Sequence, residues 1–465
     1  MTVSFINNLE YCIDGNLEWQ ILSANRPSPS INLGQSISFR ANRSTAGGSF
    51  SISKRCSLSG NVMSLLYGDD AEGSQITSTN RNAFGSLFKD CTTIVDASRL
   101  RLPSTTLAPN CYAFMFQGCS SLTSAPALPA TTLADNCYSN MFRDCTSLTT
   151  APELPVTTLA PSCYALMFQG CSSLTSAPDL PATKLVSNCY SYMFQGCTSL
   201  TTAPALPAIT LTTRCYDSMF NGCTSLVTAP ALPATTLATY CYSNMFYGCT
   251  SLTTAPDLPA TILANNCYQY MFRSCISLTT APELPATELV SNCYSNMFYG
   301  CSNLNYIKAL FLTEPSTYTR NWIIGVAING IFVKNNNATW NVIGANGIPN
   351  SWNVIEYPCV SPTIINSNDE VTFYYNDGLY TPKKNPISLL SIFDYNQMMQ
   401  LKPECNIEVC ILSKGSLVES LYEWKHDMSL NDVIDDLNLY YEDITIVINK
   451  VIIESNDAGY YGYYY

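Results

Sequence analysis

The chain has very little histidine and few basic residues. Its 465 residues include one histidine, 22 lysines and arginines, and 34 aspartates and glutamates, for a net charge of −12. Binding to nucleic acid or to an anionic membrane needs a basic patch, and the sequence contains none. The longest apolar runs, such as WIIGVAI, are too short to span a bilayer. The sequence therefore argues against nucleic-acid partners and against membrane insertion.

What the sequence has instead is a repeat. Between about Asn110 and Leu310, a unit close to CYSNMFYGCTSLTTAPxLPATTLAxx is written eight times at a period of 26. The first cysteine of each unit is Cys111, Cys137, Cys163, Cys189, Cys215, Cys241, Cys267 or Cys293. The second follows eight residues later, at Cys119, Cys145, Cys171, Cys197, Cys223, Cys249, Cys275 and Cys301. Such a period makes each unit one supersecondary turn that buries its apolar face against its neighbours, which predicts a solenoid.

Each unit divides into two segments. SLTTAPxL carries apolar residues with threonines between them and prolines at its borders, which predicts one short strand stacking in parallel on the next. Adjacent threonines such as Thr149 and Thr150 should point to opposite faces of that strand. In the other segment Cys137, Met141 and Phe142 have helical spacing, and the glycine before the second cysteine ends a helical turn. The predicted fold is an α/β solenoid.

The cysteines are expected to be buried free thiols. Two cysteines eight apart across a helical turn lie about 10 Å apart, beyond the limit of about 7 Å for bridged Cα atoms. Equivalent cysteines in neighbouring turns are about 4.8 Å apart, but their Cβ vectors run parallel. The spacing matches no usual zinc site, and His426 lies far outside the array. We therefore expect no metal and no other cofactor.

The repeat resembles a known family. The pattern L-T-x-A-P-x-L-P followed by C-Y-x-x-M-F-x-G-C resembles the BspA-type leucine-rich repeat, whose usual form has L-T-x-I-x-I-P followed by A-F-x-G-C. The likeness runs roughly from Asn82 to Trp352. It includes residues 321–354, which are similar to the ending of such arrays in gut Bacteroides-type proteins. The resemblance implies a leucine-rich-repeat array that serves as a binding scaffold, of a kind found in surface antigens, adhesins and phage-encoded proteins.

The predicted array has flanking parts on both sides. Residues 1–80 alternate strand-like runs with Pro, Gly and Ser, which predicts a small N-terminal β domain. The leucine-rich-repeat solenoid covers residues 81–310, with an atypical N-terminal cap at 81–106 before eight regular repeats. Residues 311–356 are its C-terminal cap.

The composition changes after the C-terminal cap. Residues 357–465 are predicted to form an α+β attachment domain with a tyrosine-rich tail. Its expected helices are 385–401 and 429–441, and its expected strands are 407–412 and 443–453.

A column of carboxylates is one candidate site. The variable position of the strand segment holds Glu153, Asp179, Asp257 and Glu283, which puts two acidic pairs on adjacent turns, about 5 Å apart. Such pairs could bind Ca²⁺ or imitate the two carboxylates of a retaining glycosidase. Two carboxylates supply too few oxygens for calcium unless the backbone joins, and the array supplies no tuned acid. A solvated acidic stripe is the favoured interpretation, and a hydrolase is the least favoured function.

The positions that vary between repeats form the other candidate site. They are the pair before the first cysteine, the pair after the invariant tyrosine and the residue after Met-Phe. Their members include Tyr192, Arg214, Asp217, Tyr240, Asn244, Tyr247, Gln269, Tyr270, Arg273 and Tyr299. Tyrosines among amides and arginines suit the binding of sugars or protein loops, although an ordinary solvated face would have similar residues. Because repeat arrays bind along extended surfaces, the strand face remains the alternative.

These observations favour a non-enzymatic binding protein. The start of the chain, MTVSFINNLEYCIDG, has no basic residues before an apolar core and no small-residue cleavage site, so no secretion signal is visible. We therefore expect a phage virion protein, a tail fibre or capsid-surface protein that binds a host-surface protein or glycan. One flanking domain would attach it to other virion proteins, and a homotrimer is expected by analogy alone. The alternative is a bacterial cell-surface adhesin.

Overall fold

The computed structural model describes residues 2–4, 9–14, 18–23, 27–30, 32, 34–42, 48–357, 407–413, 416–424 and 444–451. Near the N-terminus, antiparallel pairing joins β1 (Thr2–Ser4) to β5 (Ser49–Ser51), and joins β2 (Leu9–Ile13) to both β3 (Gln20–Leu22) and β4 (Ile37–Ala41). Next, β6 (Cys56–Asn61) pairs in parallel with β7 (Ile94–Arg101). A short helix, α1 (Ser64–Tyr67), and one 3₁₀ turn, Gly68–Ala71, lie between β6 and β7 in the chain.

The turn segment of each repeat is not helical, which corrects the α part of the predicted α/β solenoid. Between Ala108 and Cys119 alternate amides close tight turns, as in Cys111 N–H to the carbonyl of Ala108 at 3.2 Å. The amides between them reach the next repeat, as in Tyr112 N–H to the carbonyl of Cys137 at 3.0 Å. A helix would bond all of these amides internally. Here half of them form a parallel ladder between repeats.

Every fourth residue of this segment has a left-handed backbone. In the first repeat these residues are Asn110 (φ 56°), Phe114 (φ 60°) and Gly118 (φ 73°). The left-handed residues separate the pairs of buried side chains, so that cysteine and tyrosine, then methionine and phenylalanine, point inward together. The glycine that was expected to end a helical turn therefore serves this repeating pattern of turns.

The predicted strand shrinks to single-residue parallel bridges. They run from Thr150 to Ser176, from Ser176 to Thr202 and on through Thr228 to Thr254. Prolines lie close after each bridge, and proline lacks the amide that a longer ladder needs. Thr149 and Thr150, which were expected to point to opposite faces, are both exposed.

The core is a set of continuous columns that run through the array. Tyrosines stack along one column, for example Tyr164 on Tyr190 with ring centroids 6.0 Å apart, and phenylalanines stack along another, for example Phe168 on Phe194 at 5.7 Å. Both columns are buried, together with the leucine, methionine and cysteine columns. The cysteines from Cys12 to Cys301 are all free. The expectation that the array's thiols are buried is therefore confirmed.

A parallel sheet and a group of tryptophans close the C-terminal end of the array. The sheet contains β8 (Tyr306–Ala309), β9 (Ile331–Asn335) and β10 (Asn353–Tyr357), with β9 in the middle. Trp322 lies against the last rings of both aromatic columns, with centroids 6.4 Å from Tyr294 and 6.0 Å from Phe298. Its indole N–H donates to the carbonyl of Gly347 at 2.8 Å.

A further antiparallel sheet joins β11 (Ile407–Ser413) to β12 (Ser416–Trp424) and β13 (Ile444–Val451). Two of these strands, β11 and β13, lie where strands were predicted. The helices predicted at 385–401 and 429–441 lie outside the described residues. The domain boundaries stay predictions. Within the part of the chain that the structure describes, no helix is long and apolar enough to cross a membrane.

Candidate binding face

Three side-chain positions per repeat form a surface that we call the turn face. They are the residue before the first cysteine, the third residue after that cysteine and the sixth residue after it. The first two positions have left-handed backbones, and the third is the residue after Met-Phe. Most side chains at these positions are at least partly accessible, while the cysteine, tyrosine, methionine and phenylalanine between them are buried. The turn face therefore presents three of the positions that vary in sequence. The residue directly after the invariant tyrosine, which was also expected to face outward, is buried in most repeats, as at Asp217.

Four of the predicted site residues meet on the turn face. The guanidinium carbon of Arg273 lies 4.5 Å from the ring centroid of Tyr299, 5.3 Å from that of Tyr247 and 5.5 Å from that of Tyr270. We call Tyr247, Tyr270, Arg273 and Tyr299 the ring cluster. Three successive repeats contribute to it, because Tyr247, Arg273 and Tyr299 occupy the same position in consecutive units. Contacts at these distances are cation–π interactions.

A second group joins two more predicted residues. Arg214 lies 4.3 Å from the ring centroid of Tyr240, and its Nη1 is 2.9 Å from Oδ2 of Asp217. The Asp217 side chain is only 2% exposed, whereas that of Arg214 is 42% exposed. Burial raises the pKa of Asp217, and hydrogen bonds from Ser218 and the charge of Arg214 partly oppose this effect. Asp217 therefore holds Arg214, and this guanidinium is less available to a ligand.

The remaining predicted residues of this face border these two groups through hydrogen bonds. Tyr192 and Asn244 are half-buried on the turn face. The amide of Asn244 donates to the hydroxyl of its neighbour Ser243 at 2.9 Å. The amide N–H of Tyr192 donates to the carbonyl of Asp217 at 2.8 Å, and the carbonyl of Asn244 accepts the amide N–H of Tyr247 at 3.2 Å. Neither side chain lies against the guanidinium of the ring cluster in the described residues. Asn244 at this position suits the left-handed backbone, which Asn adopts readily (φ 54°).

Several large side chains of the turn face adopt a backbone that ordinary residues avoid. Phe114, Leu166, Tyr192 and Tyr270 have φ between 56° and 60°, whereas the equivalent residue is Asn in three other repeats. The left-handed region costs a side chain of this kind about 1–2 kcal/mol. Phe114, at 37% exposure, and Leu166 belong to the varying positions but were not singled out by sequence. The sequence signal that could have identified them is a large apolar residue at a position where three other repeats have Asn.

The acidic column lies elsewhere. Glu153, Asp179, Asp257 and Glu283 are all exposed, beside the single-residue bridges, and none contacts the ring cluster. Oε2 of Glu283 lies 3.2 Å from Nζ of Lys308. Within the described residues, no group of three or more His, Cys, Asp or Glu side chains is arranged to hold a metal ion. The structure thus separates the two candidate sites that the sequence suggested.

The stacked turns, with leucine, cysteine and aromatic columns buried between them, define a leucine-rich-repeat solenoid. The family model described as the BspA type leucine-rich repeat region matches the chain in 6 copies, over residues 73–201, 140–262 and 219–319. These segments together cover more than half of the chain, and the protein belongs to this family. A comparison with curated protein sequences gives no match. The resemblance found in the sequence is confirmed, and the family suggests a surface-binding, adhesin-type protein.

Proposed function

We propose that the protein is a non-enzymatic binding protein that recognises a host-surface protein or a glycan through its turn face. The ring cluster is the observation that supports this proposal. Tyrosine rings give large contact area at low entropic cost, and their hydroxyls form hydrogen bonds. The left-handed Tyr192 and Tyr270 add support, because strained backbone conformations concentrate at functional positions.

The strand face, which carries the exposed threonines and the acidic column beside the single-residue bridges, is less suited to binding a ligand. Its exposed threonines use their hydroxyls on the array's own backbone, as Thr201 does when it donates to the carbonyl of Thr175 at 3.4 Å. At least one of its carboxylates, Glu283, is paired with Lys308. The turn face is therefore the better candidate.

Binding of the full-length protein to an array of immobilised glycans and to host cells tests the choice of face. The variant Y247A/Y299A removes two rings of the ring cluster. The matched control E153Q/D179N/D257N/E283Q changes only exposed side chains of the other face. We expect binding to fall at least tenfold in the first variant and to change little in the second. The opposite pattern would move the binding site to the strand face, and cleaved glycans would contradict the non-enzymatic assignment.

The biological setting that we propose is a phage virion, in which a flanking domain attaches the array to other virion proteins. Membership of the BspA-type family favours a bacterial cell-surface adhesin as the second candidate. Fractionation with an antibody against the protein distinguishes the two. Co-purification with intact, density-banded particles supports the virion, whereas recovery from washed cell envelopes supports the adhesin. Mass measurement of the purified protein in solution tests the expected homotrimer.

A further inference from the structure

The charge on Arg273 has no partner of opposite sign in the described part of the chain. Its ion-pair partners would have to be carboxylates, and none of the ion pairs found there includes it. Its Nε is buried and makes no hydrogen bond. Three tyrosine rings surround the guanidinium, and their π faces do not replace the carboxylate oxygens to which its N–H groups could donate.

A second arginine at the same repeat position shows what is different about Arg273. Arg143 also follows Met-Phe, and its Nε lies 3.4 Å from Oδ2 of Asp144, the next residue in the chain. Repeats of this array normally have glycine there, and the repeat of Arg273 has Ser274. Asp144 and Ser274 have nearly the same backbone, with φ of 59° and 60°. At this repeat position, the array thus has one arginine beside a carboxylate, Arg143, and one without, Arg273.

We propose that the ring cluster binds the carboxylate of an acidic sugar at Arg273, with the sugar ring lying against the tyrosines. This inference rests on the proposed function and names the ligand class for it. A guanidinium matches a carboxylate with two parallel N–H···O bonds, and low local polarity strengthens them. Tyrosine rings on either side offer flat apolar surface to the C–H face of a sugar.

The net charge of the whole protein narrows the class of ligand further. With a net charge of −12, the chain repels a polyanion over long range. A glycan that ends in one acidic sugar brings a single carboxylate to Arg273 without that penalty. We therefore expect a terminal, singly charged sugar such as a sialic or uronic acid unit.

The test measures how strongly the full-length protein distinguishes a carboxylate from its ester. The probes are lactose bearing a terminal N-acetylneuraminic acid, the methyl ester of the same glycan, and a disaccharide ending in glucuronic acid with its own methyl ester. We expect the wild-type protein to bind at least one acid tenfold or more tightly than the corresponding ester. Equal binding of acid and ester in both pairs, or no binding of either acid, would overturn the inference.

Two variants assign the preference to Arg273. R273Q removes the charge, and S274D supplies the carboxylate that Arg143 already has, so both should abolish the preference for the acid. The aspartate fits because Gly300 follows one repeat later, just as Gly170 follows Asp144, where a Cβ would collide with the Asp144 carboxylate. R143Q is the matched control and should keep the preference.

Because S274D removes neither a ring nor the guanidinium, it decides the test even where R273Q lowers stability. A preference that survives in S274D would overturn the inference. Equal competition by a peptide with a single glutamate would also overturn it, since the carboxylate alone would then be recognised.

If Y247A/Y299A loses binding to neutral glycans or host cells while no acid is preferred, this inference fails and the proposed function stands. If neither the glycans nor the cells depend on the turn face, both fail.

Discussion

The thiol of Cys171 donates a hydrogen bond to the carbonyl oxygen of Phe142, 3.1 Å away in the preceding repeat. The same carbonyl accepts the amide of Cys145 at 3.1 Å. Equivalent thiol bonds recur along the array, as in Cys197 to Phe168, also at 3.1 Å. The second cysteine of each repeat is therefore a small buried donor that joins one turn to the turn before it.

Removing one of these thiols should weaken the array. We expect Cys197→Ala to lower the free energy of unfolding by about 1–2 kcal/mol, because it leaves a small cavity and deletes a buried hydrogen bond. The adjacent, exposed Thr198→Ala is the control and should change it by less than about 0.5 kcal/mol. Urea unfolding followed by circular dichroism measures both. Equal losses in the two variants would contradict a structural role for the thiol.

The buried thiols should also make the protein sensitive to alkali. Burial raises the pKa of Cys197 and of Cys249 to about 12, and that of Cys293 to about 11, whereas an unfolded thiol ionises at about 8.5. Because these pKa values are raised in the folded state, their contribution to stability is complete below pH of about 8.5 and is lost as the pH rises toward 12. Each such thiol lowers the free energy of unfolding by about 1.4 kcal/mol per pH unit in that window.

Urea midpoints measured between pH 7 and 10.5 check this expectation. We expect a steep fall that begins near pH 9, with uptake of base when the protein unfolds. Burial also raises the pKa of stacked tyrosines such as Tyr164, so the slope should steepen further above pH 10. A midpoint that stays constant up to pH 10 would show that the thiols are not protected in this way.

The sequence was sufficient to predict which residues form the core columns and that the repeats stack on each other. It was misleading about the turn segment, because buried pairs such as Cys137 with Tyr138 and Met141 with Phe142 fit a helix as well as a chain of turns. The distinguishing signal was Asn, Asp or Gly at every fourth residue, as at Asn136, Asn140 and Asp144, where the backbone is left-handed. The length of the strand was overestimated, because the prolines that border it lack the amide N–H groups that a longer ladder needs.

The candidate site could be predicted only in part. The varying columns indicated which residues face outward, and Tyr247, Tyr270, Arg273 and Tyr299 were among those named. Their meeting point depends on which neighbouring repeats place rings beside Arg273, and this follows from the three-dimensional stacking. The pairing of Arg143 with Asp144 could be read from adjacent letters, but its significance required the comparison with Ser274. The role of these residues in binding stays a prediction.

The contribution of Arg214 to stability should depend on the presence of Asp217. Arg214→Asn leaves the carboxylate of Asp217 buried without its cation, and we expect it to lower the free energy of unfolding by about 1–3 kcal/mol. Adding Asp217→Ser should restore most of this loss. Serine already occupies that position in two neighbouring repeats, at Ser191 and Ser243. Urea unfolding of the wild type, both single variants and the double variant measures the coupling.

The pH dependence of this coupling follows from the Asp217 pKa, which burial raises in the folded protein. A raised pKa means that protonation relieves the buried charge, so the penalty of Arg214→Asn should shrink as the pH falls through that folded-state value. The single variant and the wild type are compared at pH 7 and at pH 4. A penalty that is unchanged at pH 4, or a double variant no more stable than Arg214→Asn, would show that packing and not charge explains the loss.

The left-handed backbone at Leu166 offers a direct way to stabilise the protein. Leu166 has φ of 56°, and Asn holds the equivalent place at Asn140, Asn244 and Asn296 with φ between 54° and 57°. We expect Leu166→Asn to be more stable than Leu166→Ala by about 1 kcal/mol, because Asn adopts this conformation at lower cost than alanine. Comparing the two variants, which both remove the leucine side chain, separates the backbone effect from lost packing. Urea midpoints measure the difference, and an alanine variant as stable as the asparagine variant would show that the turn segment carries no strain at this position.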